Sequence, residues 1–255
     1  MPANAAWPFL DWPGPLAFAH RGGAGEVPEN TMPAFAHAVS LGFRYVETDV
    51  HVTADGVLVA FHDDRLDRVT DGAGSIGELP WSVVREARVG GIEPIPLLED
   101  LLGSWPDLRV NIDPKADRAV DPLAEVLLRT GARDRVCIGA FSDRRIARVA
   151  ARVGGSLCTS MGPRQVARLV AASRGLPGAA TITAPCAQVP VRQGRVRLVT
   201  ERFVETAHRL GVQVHVWTID DEDEMAELLD LGVDGIMTDR PQALRRTLEA
   251  RAAWH

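Results

Sequence analysis

Lysine is almost missing from this chain of 255 residues, since Lys115 is the single lysine among 28 basic residues. A chain that uses arginine for nearly every surface cation makes this position a candidate for a site that needs an ammonium group. Basic charge is not in excess either, because the formal net charge is -6. Nucleic-acid-binding domains usually carry a basic surface, so the sequence argues against that class.

Cysteine is also scarce, and its pattern argues against two kinds of site. Cys137, Cys158 and Cys186 lie in separate apolar runs, with no CxxC pair and an odd total. A disulfide framework or a zinc site would require closer or paired spacings. The sequence therefore predicts reduced, buried thiols in a cytoplasmic protein.

Long hydrophobic runs are absent as well. No segment approaches about 18 uninterrupted apolar residues, and the start of the chain lacks a basic region followed by an apolar one. We expect neither secretion nor a transmembrane segment. Trp7, Phe9 and Trp12 form an aromatic arm, which we expect to pack against its own domain rather than to enter a membrane surface.

What the chain does contain is a repeated order of a short apolar run followed by an amphipathic stretch. Eight such units over this length favour a TIM (β/α)8 barrel, predicted here as one domain over residues 1–255. An Asp-Gly turn in "VTADGVLVAFH" predicts a hairpin after the second strand, and a small insertion follows at about residues 64–95. The predicted strands are LAFAH, YVETDV, RVNID, RVCIGAF, SLCTSM, either AATITAP or AQVP, VQVHVWTI and GIMTD.

Polar side chains end several of these runs. Barrel enzymes place their active sites at the carboxyl ends of the strands, so these side chains are expected to meet at one rim. Glu47 and Asp49 are two residues apart in a strand and therefore point the same way. The predicted rim residues are His20, Glu47, Asp49, His62, Asp113, Lys115, Trp217 and Asp239. His215 is interpreted as a core residue.

The chemistry of this set indicates a metal site. Two buried carboxylates in one strand cost several kcal/mol unless a cation compensates them. Glu47, Asp49 and Asp113 offer only oxygen, which suits Mg²⁺ or Ca²⁺ better than zinc. Histidines next to such a metal suit general acid and base roles, and Arg21 with Lys115 adds positive charge. Together these residues predict metal-assisted hydrolysis of a phosphoester.

Several motifs, in order, resemble the glycerophosphodiester phosphodiesterase family over roughly residues 16–245. They are "AHRGG", "PENT", "ETDVHVTADGVLVAFHD", "NIDPK", "VHVWTID" and "GVDGIMTDRP". The resemblance implies a TIM barrel with a small insertion after the second strand. It also implies hydrolysis of glycerophosphodiesters to sn-glycerol 3-phosphate and an alcohol, with a divalent metal.

Carried over to this chain, the resemblance assigns a role to each motif residue. It implies His20 and His62 as the acid and base, and Arg21 and Lys115 as the phosphate ligands. Glu29 and Trp217 are candidate substrate contacts, with Glu29, like Asn30, assigned first to helix capping and positioning. The implied metal ligands are Glu47, Asp49 and Asp113. The family usually has glutamate, in a run such as EIK, at the position of Asp113, so metal preference is open.

The sequence also leaves the details of the reaction open. Either histidine could be the acid, and the nucleophile could be water or the 2-hydroxyl of the glycerol. A rival activity is that of a lysophospholipase D, and a rival of another class is a barrel that binds a phosphoester without catalysis. The expected partner is a small-molecule substrate, and the pattern specifies no oligomeric state. Gln188 and Arg192 are possible substrate contacts, with loop surface as the preferred interpretation.

Overall fold

The structure, a computed structural model, describes residues 7–155, 157–177 and 181–255. In chain order its strands are β1 (Leu16–His20), β2 (Tyr45–Val52), β3 (Leu58–Ala60), β4 (Arg88–Val89), β5 (Glu93–Pro94), β6 (Arg109–Pro114), β7 (Val136–Ile138), β8 (Cys158–Thr159), β9 (Cys186–Pro190), β10 (Arg192–Gln193), β11 (Val196–Arg197), β12 (Gln213–Trp217) and β13 (Gly235–Thr238). Its helices are α1 (Met32–Ser40), α2 (Trp81–Val84), α3 (Leu98–Ser104), α4 (Val120–Thr130), α5 (Asp143–Val153), α6 (Pro163–Ser173), α7 (Glu201–Arg209), α8 (Glu222–Asp230) and α9 (Pro241–Ala250).

Eight parallel strands form the main sheet in the order β8-β7-β6-β2-β1-β13-β12-β9. A parallel bridge between Ser160 and Cys186 joins the two ends of this order and nearly closes the sheet into a barrel. Each of the eight strands is followed by a helix before the next barrel strand begins. This is the predicted TIM barrel.

The sixth strand is CAQVP, β9, which settles the choice between AATITAP and AQVP. Residues 181–185 of the first run form no strand. Residues 179 and 180 of that run lie outside the described residues, as does Ser156 of the fifth predicted strand.

Local sequence signals explain where the rim elements begin and end. Thr31 caps α1 by accepting a hydrogen bond from the Ala34 backbone N–H at 3.3 Å, as N-terminal threonines often do. The predicted hairpin pairs β2 with β3 in antiparallel fashion. Gly56 in its turn has φ +90°, a conformation that favours glycine. The strand β6 ends at Pro114, as its missing N–H predicts.

The insertion between β3 and α3 builds a small apolar cluster of its own. It contains two 3-10 turns, Leu66–Arg68 and Ile76–Glu78, together with α2 and the antiparallel pair β4-β5. Leu66, Ile76 and Val84 are fully buried within it or nearly so. The insertion is thus a packed structure placed beside one side of the rim.

The aromatic arm covers the end of the barrel opposite the rim. Phe9 is fully buried, and its carbonyl accepts a 2.8 Å hydrogen bond from the Tyr45 hydroxyl. Trp12 meets the same tyrosine ring edge to face, with centroids 5.8 Å apart. The expectation that this arm packs against its own domain is confirmed. The longest described helices have 11 residues, and none of the described helices could cross a membrane.

Candidate active site

One cavity of about 620 Å³ opens at the carboxyl ends of the barrel strands. Eight of the residues predicted for the rim or the phosphate line it. They are His20, Arg21, Glu47, Asp49, His62, Asp113, Lys115 and Trp217. Glu29 lies behind Arg21 rather than in the lining. The strand-end argument therefore located the site.

His20, the last residue of β1, is held by carboxylates on both ring nitrogens. Its Nδ1 is 2.7 Å from Oδ1 of Asp239, and its Nε2 is 3.7 Å from Oε2 of Glu47. Burial would lower the pKa of His20, but the two carboxylates outweigh burial and raise it. The imidazole is thereby fixed in orientation, with Nε2 facing the buried carboxylates.

His62 follows β3 and is fixed by its neighbour in sequence. Its Nδ1 is 2.5 Å from Oδ1 of Asp63. The Nε2 of His51 donates to the backbone carbonyl of His62 at 3.0 Å, which ties the segment to β2. Arg68 lowers the pKa of Asp63 and so keeps that carboxylate charged beside the imidazole. Both histidines are thus oriented through Nδ1, which leaves Nε2 available for proton exchange.

Glu47 and Asp49 lie side by side on β2 and are nearly inaccessible to solvent. Burial, followed by repulsion from Asp49, raises the pKa of Glu47 to about 7. Burial would also raise the pKa of Asp49, but Lys115 and Arg21 outweigh it and hold this pKa below its ordinary value. The Nε of Arg21 lies 3.2 Å from Oδ2 of Asp49. The pair therefore carries about one negative charge below about pH 7 and gains a second as Glu47 ionises above it.

Lys115 bridges two of the predicted metal ligands. Its Nζ is 2.7 Å from Oδ1 of Asp49 and 2.9 Å from Oδ2 of Asp113. These carboxylates outweigh burial and raise the pKa of Lys115. The other oxygen of Asp113, Oδ1, is buried and has no hydrogen-bond partner among the residues that the structure describes. The structure thus places the lone lysine on the carboxylates at the floor of the cavity.

The "PENT" motif acts through contacts that differ from those predicted. Asn30 adopts the left-handed conformation with φ 54° and does not cap α1. Its Nδ2 donates to Oδ2 of Asp49 at 3.3 Å, while its Oδ1 accepts from the Thr48 hydroxyl at 2.8 Å. Glu29 accepts from Arg21 at 3.1 Å and from both terminal nitrogens of Arg68 at 2.7 and 3.0 Å. Both motif residues therefore position charged groups of the rim.

The side of the cavity away from the charged groups is apolar. Trp217 meets Phe141 edge to face, with centroids 5.7 Å apart, and Phe141 is 71% exposed. Further apolar side chains continue this wall: Met161, Val166, Val170, Val189 and Leu198. The site therefore combines a charged floor with an apolar wall.

Sequence reasoning missed or misplaced several groups. Gln188 is a residue of β9 that lines the cavity and donates to Oδ1 of Asn111 at 2.8 Å, so its interpretation as loop surface is wrong. Asp63 and Asp239, which hold the two histidines, were not assigned that role. The position of Asp239 after the eighth strand was the signal, since β13 is the neighbour of β1 in a closed barrel.

Comparison with known proteins agrees with this arrangement. A sequence model described as the Glycerophosphoryl diester phosphodiesterase family matches residues 20–243. A curated relative, the probable glycerophosphodiester phosphodiesterase 2 of Mycobacterium tuberculosis, is 43% identical over 251 residues, covering 96% of this chain and 95% of the relative.

Two solved structures share the fold. A putative glycerophosphoryl diester phosphodiesterase of Silicibacter pomeroyi superposes with a TM-score of 0.82 at 21% identity, covering 98% of this chain and all of that one. An Oleispira antarctica phosphodiesterase in complex with the product sn-glycerol-3-phosphate has a TM-score of 0.78 at 23% identity, with coverage of 92% and 97%. The family model and the curated relative lead to the same conclusion as the barrel and its site. The chain belongs to the glycerophosphoryl diester phosphodiesterase family of phosphoric diester hydrolases.

Proposed function

We propose that this protein hydrolyses glycerophosphodiesters to sn-glycerol 3-phosphate and an alcohol with the help of a divalent cation. One observation carries the proposal: two imidazoles, each oriented by its own carboxylate, line the same cavity as three acidic and two basic side chains. The product bound in the Oleispira antarctica relative is the one this reaction releases.

In its chemistry the donor set fits a hard divalent cation, although the ligand atoms of its three carboxylates do not all lie within 4.8 Å of one another. Glu47, Asp49 and Asp113 would hold it, since they offer only carboxylate oxygens. The unpartnered, buried Oδ1 of Asp113 is an atom that such a cation would satisfy. When bound, Mg²⁺ or Ca²⁺ supplies positive charge that stabilises the phosphate oxygens as the diester is attacked.

The remaining steps belong to side chains of this chain. Arg21 and Lys115 hold the phosphate by charge-assisted hydrogen bonds and offset its negative charge. One imidazole takes a proton at Nε2 from the nucleophile, and the other returns a proton at Nε2 to the leaving oxygen. Asp239 and Asp63 keep His20 and His62 in the tautomer and orientation that these transfers need. The P–O bond to the leaving alcohol breaks, and the alcohol departs neutral.

A direct assay tests the proposal. The purified protein, incubated with glycerophosphocholine and Mg²⁺ or Ca²⁺, is expected to release sn-glycerol 3-phosphate. Replacement of His20 or His62 by alanine is expected to reduce kcat by about a hundredfold or more. Full activity in both single variants would remove the histidines from the mechanism. Substrate binding without turnover under any divalent cation would instead identify a non-catalytic barrel.

The apolar wall favours a second substrate class, lysophospholipids, for the same site. Phe141, Trp217 and Met161 offer apolar surface beside the charged floor, and glycerophosphocholine has no acyl chain to cover it. An acyl chain would gain about 25 cal/mol for each Å² of apolar surface removed from water. Parallel assays of lysophosphatidylcholine and glycerophosphocholine compare kcat/KM. A preference for the acylated substrate would identify lysophospholipase D activity.

A further inference from the structure

The three cysteines of the chain meet inside the barrel, although they are far apart in sequence. Cys137 on β7 pairs in register with Cys158 on β8, and Cys186 begins β9, which is bridged to the end of β8. Neighbouring strands thus each bring one thiol to the same place. Their sulfur atoms all lie within 4.8 Å of one another, and those of Cys137 and Cys186 are 3.9 Å apart.

This thiol cluster, defined as Cys137, Cys158 and Cys186, is separate from the catalytic cavity. All three cysteines are free and at most 2% exposed. None of them lines the cavity. They pack instead with the aromatic layer that includes Phe18 and Tyr45. Among the described histidines, cysteines and acidic residues, no other three bring ligand atoms this close together.

The three thiols contact one another and the neighbouring backbone without forming a disulfide. The sulfur atoms of Cys137 and Cys186 are close enough for either thiol to donate to the other. The Cys186 thiol also lies 3.9 Å from the backbone carbonyl oxygen of Thr159. Thiols bind a metal ion as thiolates, so binding would replace these weak contacts with sulfur–metal bonds.

His215 lies beside the cluster without joining it. Its ring is fully buried, and its Nε2 lies 3.1 Å from Oε1 of Gln213. Its Nδ1 faces the side-chain amide nitrogen of Gln188 at 3.5 Å. Its ring nitrogens are not among the ligand atoms that lie within 4.8 Å of one another. Among the described residues the three thiols are therefore the ligands that this site offers.

We propose that Cys137, Cys158 and Cys186 form a buried binding site for a thiophilic metal ion, Zn²⁺ in the first instance, with the three sulfur atoms as its protein ligands. Tetrahedral zinc with bonds of about 2.3 Å to sulfur requires sulfur atoms about 3.8 Å apart. The Cys137–Cys186 separation of 3.9 Å already satisfies this requirement. This site is independent of the proposed catalytic metal, which has oxygen ligands.

Charge and burial define how the ion would bind. Binding converts three thiols to thiolates and releases up to three protons, so Zn²⁺ with three thiolates carries one net negative charge. Because the ligands are buried beneath the aromatic layer, the ion must be incorporated as the chain folds. It would then tie together β7, β8 and β9, the part of the barrel where the sheet closes only through a single bridge.

The test measures metal directly rather than activity. The full chain is expressed in medium supplemented with Zn²⁺ or with Co²⁺ and purified without chelator, and its metal content is determined. We expect one equivalent of ion per chain that survives dialysis against EDTA. The Co²⁺ form is expected to show the sulfur-to-cobalt charge-transfer absorption of a thiolate site, which oxygen ligands do not give.

Matched variants separate this site from the catalytic one. Asp49→Asn is expected to keep the thiol-bound ion, and Met237→Leu, in the same buried layer, serves as the packing control. Cys186→Ala is expected to lose the ion. Cys186→Ser, which keeps the size of the side chain, is expected to lose the charge-transfer band as well, which guards against a Cys186→Ala variant that fails to fold. Bound Cu⁺ in place of Zn²⁺ would support the thiol site. The proposal would be overturned if the wild-type chain from both media contained no tightly bound ion. Titration of three thiols after denaturation would show in that case that the cysteines had not been oxidised.

Discussion

Asp239 and His20 are joined by a hydrogen bond of 2.7 Å, although 219 positions separate them in the chain. The contact exists because β13 and β1 are neighbours in the barrel, with Ala19 opposite Thr238. The carboxylate accepts from Nδ1 of the imidazole and raises its pKa.

Asp239→Asn should therefore reduce kcat by about 10- to 100-fold, because a hydrogen bond to a charged group contributes about 1.5 to 3 kcal/mol. It should also lower the pKa of His20, so the limb of the pH–rate profile that reports this group should move to lower pH. His37→Gln is the control, since its 2.8 Å pair with Glu26 lies at the surface. An unchanged profile in Asp239→Asn would contradict the positioning role.

Lys115→Arg should lower kcat by about tenfold or more while the fold is retained. The ammonium group fits between carboxylate oxygens at 2.7 and 2.9 Å, whereas a planar guanidinium cannot occupy the same space. Lys115→Gln should lower kcat as well, yet tighten the binding of Mg²⁺ because it removes a positive charge from Asp49 and Asp113. Steady-state kinetics and calorimetric titration of the ion measure the two effects. Wild-type kcat in Lys115→Arg would make the single lysine incidental.

Chelation should abolish turnover, and Asp113 should set the affinity for the ion. Asp113→Asn keeps the shape of the side chain but removes its charge, so about tenfold or more Mg²⁺ should be needed to restore activity. Asp113→Glu should retain activity, since it keeps a carboxylate at the same position. Activity titrated against Mg²⁺ and Ca²⁺ after EDTA treatment gives the comparison. Equal metal requirements in Asp113→Asn and the wild type would exclude this residue as a ligand.

The metal-free protein should lose stability as the pH rises from about 4.5 to about 7. The pKa of Glu47 is raised to about 7 in the folded state from 4.5, so the folded chain binds the proton more tightly than the unfolded chain. The stability from this protonation is complete below about pH 4.5 and is lost as the pH passes about 7. Thermal denaturation in EDTA measures the slope, and Glu47→Gln should flatten it. If the stability of Glu47→Gln falls with pH as steeply as that of the wild type, other groups cause the effect.

Phe141→Ala should raise KM for lysophosphatidylcholine by about 10- to 100-fold, because burying a phenylalanine side chain against an acyl chain contributes about 1.5 to 3 kcal/mol. KM for glycerophosphocholine should change little. Ile92→Ala is the matched control, since Ile92 is 76% exposed and does not line the cavity. If Phe141→Ala changed KM for both substrates equally, Phe141 would not bind the acyl chain.

The barrel and the charged floor were predictable because their signals are local. Alternation within β2 places Glu47 and Asp49 on one face, and strand ends locate His20, Asp113 and Lys115 without knowledge of the tertiary structure. The exact start of β9 was not predictable, because residues 179–190 contain two apolar runs of similar length. That ambiguity also hid Gln188 as a cavity residue.

The remaining contacts depend on which strands become neighbours. The thiol cluster requires that β7, β8 and β9 lie side by side with a particular register, since each strand supplies one cysteine. The burial of the cysteines was predicted and is confirmed, but their convergence has no signature in their spacing. Asn30 likewise reads as a helix cap in the sequence and becomes a partner of Asp49 only through its left-handed backbone.

Arg68 connects the insertion to the rim of the active site through hydrogen bonds. Its guanidinium donates to Glu29, which follows β1, and to Asp63, which follows β3. A chimera that carries the insertion of a relative would have a different loop surface. If the relative has no arginine at the position of Arg68, the chimera would also lose the hydrogen bonds that hold the Glu29 and Asp63 carboxylates. A recombination breakpoint placed after Arg68 would keep these hydrogen bonds while the sequence of residues 69–95 is replaced.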